Sequence, residues 1–158
     1  MQFTAADQSI DWFSGAVIYR IVEGQLKFLV QRWESTVPRY RSQKPQIKFP
    51  GGKSRNHPED VDFLGTLRRE LEEELRLKLK DGKYPVIYDW ITGSHRKVFY
   101  LVPYESLERK MRTDIPHPDT RSRLSPPFLL LAVNAEHVVY GAHKEVARNA
   151  ILYLSHKK

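Results

Sequence analysis

The sequence predicts an α/β domain in which a mixed β-sheet is sandwiched between helices. Three observations predict it: two β-rich runs joined by a turn signal near the start, a helical apolar period over residues 61–77, and a second such period over 143–154. Residues 15–21 (GAVIYRI) and 26–33 (LKFLVQRW) are the β-rich runs, and the Glu23-Gly24 pair between them reads as a hairpin turn. The stretch STVPRYRSQKP that follows is polar, carries two prolines and has no period, which makes it a long loop. Residues 46–49 form a short strand closed by Pro50, Gly51 and Gly52. Over 61–77, Leu64, Leu67, Leu71 and Leu75 recur at intervals of 3, 4 and 4, so one face of a helix is buried. Strands are expected at 85–92 and 97–103, and a loop with at most a short helix at 105–127. Residues 128–133 fit either a strand or the start of a buried helix. The last helix, 143–154, places Val146, Ala147, Ala150, Ile151 and Leu154 on one face. Nothing marks a repeat or a second domain, so residues 1–158 are read as one unit.

Composition excludes several classes. The chain has 158 residues, 41% of them hydrophobic, which is enough for a core and too much for wholesale disorder. It has no cysteine, so disulfides, thiolate zinc sites and cysteine nucleophiles are all out of reach. The start, MQFTAADQSIDWF, lacks a basic segment followed by an apolar one, and no run approaches the ~18 apolar residues of a membrane span. A cytoplasmic protein without a membrane partner is expected.

The formal net charge of +7 conceals a segregation of signs. Arg32, Arg39, Arg41, Lys44, Lys48, Lys53 and Arg55 meet a single acid, Glu34, whereas Glu59, Asp60, Asp62, Glu70, Glu72, Glu73 and Glu74 meet only Arg68 and Arg69. A basic stretch leads into an acidic helix. On that helix Glu70, Glu73 and Glu74 fall at i, i+3 and i+4, while Leu67, Leu71 and Leu75 hold the opposite face. Like charges so spaced cost about 0.2–0.5 kcal/mol per pair and call for a cation. Arg68 and Arg69 on a solvated acidic face would supply it, and so would a hard divalent ion such as Mg²⁺, which takes oxygen ligands. Gly51 and Gly52 bear on the choice. Without a Cβ they can bring bare backbone close to an ion, and a carbonyl there could complete its coordination.

Residues 52–77, GKSRNHPEDVDFLGTLRRELEEELRL, resemble the Nudix box, G-x5-E-x7-R-E-U-x-E-E-x-G-U with U aliphatic. The match is carried by Arg69, Glu70, Leu71, Glu73, Glu74 and Leu77, with the lead-in FPGGK, and covers about a sixth of the chain. Two departures stand out. The spacing from Gly52 to Arg69 is three residues longer than usual, so Glu59 matches the first glutamate of the box only approximately. Arg76 stands where the box has a helix-ending glycine, and an arginine takes a left-handed turn only at a cost, so the helix is expected to run on or end differently.

The resemblance implies a Nudix-like α/β/α sandwich and a pyrophosphohydrolase: metal-dependent hydrolysis of the diphosphate linkage in a nucleoside diphosphate joined to another group. It implies that Glu70, Glu73 and Glu74, with the Gly51 carbonyl, hold Mg²⁺ or Mn²⁺, and that Arg69 orients a helix carboxylate. Glu73, Arg69 and Glu70 are the expected catalytic residues. The general base is a helix glutamate or a later acid, for which Glu105, Glu108 and Glu136 are candidates. Arg32, Arg39, Arg41, Lys44, Lys48 and Lys53, with Arg32, Arg41 and Lys53 foremost, are expected either to meet substrate phosphates, in a nucleotide or an RNA 5′ end, or to be solvated. The histidines show no metal-ligand spacing and read as surface or satisfied residues; Trp33, Tyr40, Tyr88 and Trp90 could stack on a base, but residues of this kind at strand positions are more often core. A different class of function, a nucleotide- or RNA-binding module without turnover, is motivated by the insertion and by Arg76.

Overall fold

The computed structural model of the chain describes residues 11–35, 46–54, 61–109, 122–124 and 127–156. Strands β1 (Asp11–Val22) and β2 (Gln25–Ser35) form the expected hairpin, longer at both ends than their β-rich cores. Its tip is Glu23-Gly24, both at positive φ (52° and 77°), the handedness that a two-residue hairpin turn needs. The polar stretch after β2, Glu59 and Asp60 lie outside the described residues.

β1 is the hub of the sheet. Toward its end it pairs antiparallel with β2, Tyr19 opposite Phe28. Toward its start it pairs antiparallel with β4 (Gly51–Lys53), Gly15 opposite Gly51 and Phe13 opposite Lys53. It also runs parallel to β7 (His95–Pro103), from Asp11 opposite His95 to Tyr19 opposite Pro103. That parallel pair makes the sheet mixed. β6 (Val86–Thr92) lies antiparallel at the outer edge of β7, while β3 (Gln46–Lys48), β9 (Ser122–Leu124) and β10 (Phe128–Leu131) pair with β2.

Alternation along β1 supplies two cores. Trp12, Ala16 and Ile18 pack toward helix α1 (Phe63–Leu75), against Phe63, Leu67 and Leu71. On the other face Val17, Phe28, Val30, Phe99 and Leu101 pack against α2 (Ala132–Val138) and α3 (His143–His156) through Ala135, Val146, Ala147 and Ala150. Each buried Leu, Val or Phe contributes about 1.5–3 kcal/mol, which makes the helices inseparable from the sheet. The α/β sandwich holds, with three α-helices among the described residues where the periodicity revealed two.

Several expectations are corrected. Gly51 and Gly52 do not merely close a strand; with Lys53 they form β4. Within 105–127, Leu107–Arg109 is a strand, β8, paired with β5 (Leu77–Leu79), and Ser122–Leu124 is β9. Strands of three residues are too short for alternation to show. Residues 128–133 are both alternatives in succession, β10 and then the first turn of α2. Trp90 is about half exposed, because β6 is an edge strand.

Helix α1 starts after Asp62, whose Oδ1 accepts the Gly65 N–H at 2.6 Å and satisfies one of the free donors of the first turn. It ends at Leu75, and Arg76 takes the left-handed conformation (φ 55°, ψ 38°) with its N–H on the Glu72 carbonyl at 3.1 Å. The arginine therefore ends the helix as a glycine would, carrying the steric cost of its Cβ, about 1–2 kcal/mol. Arg76→Gly should stabilise the fold by about 1 kcal/mol and raise the melting temperature by about 2–4 °C. A lower melting temperature would contradict this account of the helix end.

Candidate active site

The pairing of β4 with β1 places two glycines under the second half of α1. A Cβ on Gly51 would lie 2.5 Å from the Ser14 carbonyl oxygen, and one on Gly52 would collide with the carboxylate of Glu70. The Gly51 N–H lies 3.4 Å from Glu74 Oε2. The bare backbone at this point is thus a cradle for carboxylates.

Glu70 and Arg69 are almost fully buried. Arg69 Nη1 donates to Glu70 Oε1 at 3.0 Å and to Glu73 Oε2 at 3.1 Å, and Nη2 donates to the Lys53 carbonyl at 2.9 Å. One guanidinium thereby ties two carboxylates of α1 to the end of β4, using the planar fork that a lysine lacks. Glu74 is pushed well above the usual carboxylate range, first by burial and then by the neighbouring Glu70 charge, and its protonated form hydrogen-bonds to Glu70. Two neighbouring carboxyl groups whose charged forms disfavour each other are a donor set suited to a hard, oxygen-preferring divalent ion.

These placements answer the sequence expectations residue by residue. Arg69, Glu70, Glu73, Glu74 and Gly51 are brought together. Glu70 is buried against the glycines rather than presented on an open helix face. Among the described residues no three acidic or imidazole side chains converge on one point, since Arg69 draws Glu70 and Glu73 to itself. Lys53 is exposed at the end of β4, Arg32 pairs with Glu34 at 3.4 Å, and Arg41 lies outside the described residues. Glu105 interacts electrostatically with Tyr19, four residues along β1 from Gly15, which faces Gly51 of the cradle. Glu108 is exposed on β8, and Glu136 on α2 pairs with Arg148 of α3 at 3.0 Å.

Lys48 is expected from the sequence only as one of the phosphate-facing basic residues, and two further features, at Ser14 and His143, escaped sequence reasoning. Lys48 sits with Nζ 4.4 Å from the ring centroid of Trp33 and 5.4 Å from that of Tyr140. Its pKa is lowered, chiefly by burial and then by Lys97, while Glu74 pulls the other way. Ser14 shares the α1-facing side of β1 with Trp12 and Ala16, opposite Gly52; its buried Oγ has no hydrogen-bond partner among the described residues. A polar residue at a core-facing strand position was the available signal. His143 packs against Phe49, and no spacing in the sequence marks it.

Two outcomes test this geometry. Gly52→Ala should destabilise the protein by about 1–3 kcal/mol in thermal unfolding, since the methyl has nowhere to go but into Glu70. For Glu74 the native state binds a proton that the unfolded chain releases near pH 4.5, so this group's stabilisation is complete below that pH and lost as pH rises through its elevated native value. Metal-free Glu74→Gln should therefore lose less stability than the wild type as pH rises above 4.5; equal slopes in denaturant titrations would refute the raised pKa.

No family model matches the chain, and no curated protein matches it. Solved structures do. The Nudix domain of Shewanella oneidensis NrtR, complexed with ADP ribose, aligns with TM-score 0.62 and 14% identity over 90% of this chain and 87% of its own. A Nudix hydrolase from Nitrosomonas europaea gives 0.60 and 13%, over 94% and 91%. A Caenorhabditis elegans Ap4A hydrolase, in a binary complex, gives 0.56 and 16%, over 93% and 99%. At such identities the likeness concerns architecture, and it extends over nearly the whole of each chain. This arrangement of mixed sheet and flanking helices is the fold of the Nudix hydrolases.

Proposed function

We propose that the chain is a metal-dependent pyrophosphohydrolase that cleaves the diphosphate linkage of a nucleoside diphosphate joined to another group. The observation that carries this reading is the carboxylate group of α1, Glu70 buried and Glu73 and Glu74 partly so, tied by Arg69 and set against glycine backbone, within a Nudix fold. Glu70, Glu73, Glu74 and the Gly51 carbonyl are the residues that would hold Mg²⁺ or Mn²⁺. When bound, the metal neutralises the diphosphate and lowers the pKa of the attacking water.

The chain's own residues do the rest. Arg69 fixes the directions of Glu70 and Glu73 through its fork, so that neither rotates away as the protonation of the group changes. Glu73 is the more open of these two, its side chain 18% exposed against 3% for Glu70, and we assign it to take the proton of the attacking water. Remoteness of Glu105 and the Arg148 pairing of Glu136 favour this choice. Lys53 and Lys48 supply positive charge beside the cradle for substrate phosphates, with Arg32 and Arg41 further along the same basic stretch. A nucleotide-type substrate accords with the ADP ribose and Ap4A named for the structural neighbours; a triphosphorylated RNA 5′ end has the same phosphate chemistry. A cytoplasmic setting, where nucleotides and Mg²⁺ are abundant, suits the reaction. No helix among the described residues is long and apolar enough to cross a membrane.

A nucleotide- or RNA-binding module without turnover is the second reading. It is favoured by one observation, that the carboxylates do not converge on a point. A panel of nucleoside triphosphates, dinucleoside polyphosphates, nucleotide sugars and triphosphorylated RNA, with Mg²⁺ or Mn²⁺, decides between them by the products released. The hydrolase reading expects metal-dependent release from at least one substrate; silence throughout, with tight metal-independent binding, supports the module. Glu73→Gln should lower kcat by about 10²–10⁴-fold while the protein stays folded by circular dichroism. An unchanged rate would remove Glu73 from the mechanism.

A further inference from the structure

Between β3 and β4 the chain changes neighbours. Residues 46–48 pair with β2 and residues 51–53 pair with β1, leaving Phe49 and Pro50 outside both ladders. A buried backbone donor at such a switch still needs a partner. Proline has no N–H, and its carbonyl accepts the Ala16 N–H at 3.0 Å. The Phe49 N–H donates to Nδ1 of His143, 94 residues away in sequence, at 3.0 Å.

The imidazole is fixed on both sides. It stacks on the Phe49 ring, centroids 5.7 Å apart and planes at 14°, and meets the Phe99 ring edge to face at 5.2 Å. Its own segment is stitched to the same strand, since Tyr140 N–H donates to the Ile47 carbonyl at 2.9 Å and Val139 bridges Ile47. An N–H aimed at Nδ1 requires that nitrogen to be unprotonated, so the proton of the neutral ring lies on Nε2. Burial, then Lys48 and Lys97, pull the pKa of His143 down to about 3, which keeps the acceptor available at neutral pH.

Gly51 and Gly52 follow Phe49 by two and three residues, and they are the backbone against which Glu74 and Glu70 rest. We propose that His143 is a positioning residue for the candidate metal site: its Nδ1 takes the orphaned Phe49 N–H, holds the strand switch in place, and so sets the glycine cradle against Glu70 and Glu74. The proposal rests on the reading of those carboxylates as cation ligands. It gives the first residue of α3, on the far face of the sheet, a role that acts through β4.

The test compares His143→Asn, whose Oδ1 can occupy the place of Nδ1, with His143→Gln, whose oxygen lies one bond further out. Three quantities are read in each: hydrogen exchange of the Phe49 amide, Mn²⁺ affinity followed by the electron spin resonance of free Mn²⁺, and kcat with KM. Asn should keep the Phe49 amide protected and Mn²⁺ affinity within about twofold of wild type. Gln should lose at least about tenfold in amide protection, and about tenfold in Mn²⁺ affinity and in kcat, with KM little changed. Equal behaviour of the two variants in Mn²⁺ affinity, or a Phe49 amide as protected in Gln as in the wild type, overturns the proposal. Should either variant fail to fold, imidazole ¹⁵N shifts of the wild type decide: an unprotonated Nδ1 supports the tether, and a protonated one refutes it. Wild-type protein that binds Mn²⁺ and hydrolyses nothing removes the hydrolase reading alone, because the amide and Mn²⁺ measurements still judge His143.

Discussion

The Arg69 guanidinium, buried between Glu70, Glu73 and the Lys53 carbonyl, is the interaction on which the arrangement of the site depends. Taking such charges out of water is expensive, and the expense is recovered only when each donor meets an acceptor in good geometry. Removing one partner would leave an uncompensated charge in the interior, at about 3–5 kcal/mol. The pairing is therefore weak evidence for stability gained and strong evidence for geometry imposed. It fixes two carboxylates of α1 relative to β4, something helix packing through Leu67 and Leu71 alone cannot do to side-chain directions.

That geometry is inherited from the sheet. β1 carries α1 on one face and the α3 core on the other, and β4 is held along its edge by a register in which glycine faces glycine. Glu70 can lie where it does because Gly52 has no side chain, and burial first, then the neighbouring Glu70 charge, raises the pKa of Glu74 well above the usual carboxylate range. A proton and a divalent cation are alternative answers to the same crowding. The charge segregation of the sequence takes on a spatial meaning as well: Glu74 is close enough to Lys48, from the basic stretch, to raise its pKa against the lowering by burial, so the excess of +7 does not describe a uniformly cationic surface.

Much of this was legible in the residues. The period of Leu67 and Leu71 located α1, alternation and a Glu-Gly turn located the hairpin, and the spacing of Glu70, Glu73 and Glu74 with Arg69 singled out the residues of the candidate site. What stayed hidden was what depends on distant contacts. β5 and β8 are three residues each and exist because Leu79 and Leu107 meet across the fold. Arg76 ends α1 in a conformation its side chain disfavours, since the chain must turn there into β5. Burial of Glu70 depends on Gly52, which pairing with β1 delivers, and no helical periodicity reports that. His143 read as an ordinary histidine because its partner is a backbone N–H, a group common to every residue but proline.

The central claim is that this carboxylate group is a cation site. Anomalous scattering at the manganese edge, from crystals soaked in Mn²⁺, tests it most directly. The account predicts a peak within ligand distance of Glu70, Glu73 or Glu74, with Glu74 deprotonated and the Gly51 carbonyl among the neighbours. Crystals that show Mn²⁺ only at other surface acids, with Glu70 and Glu74 still hydrogen-bonded to each other, would contradict it.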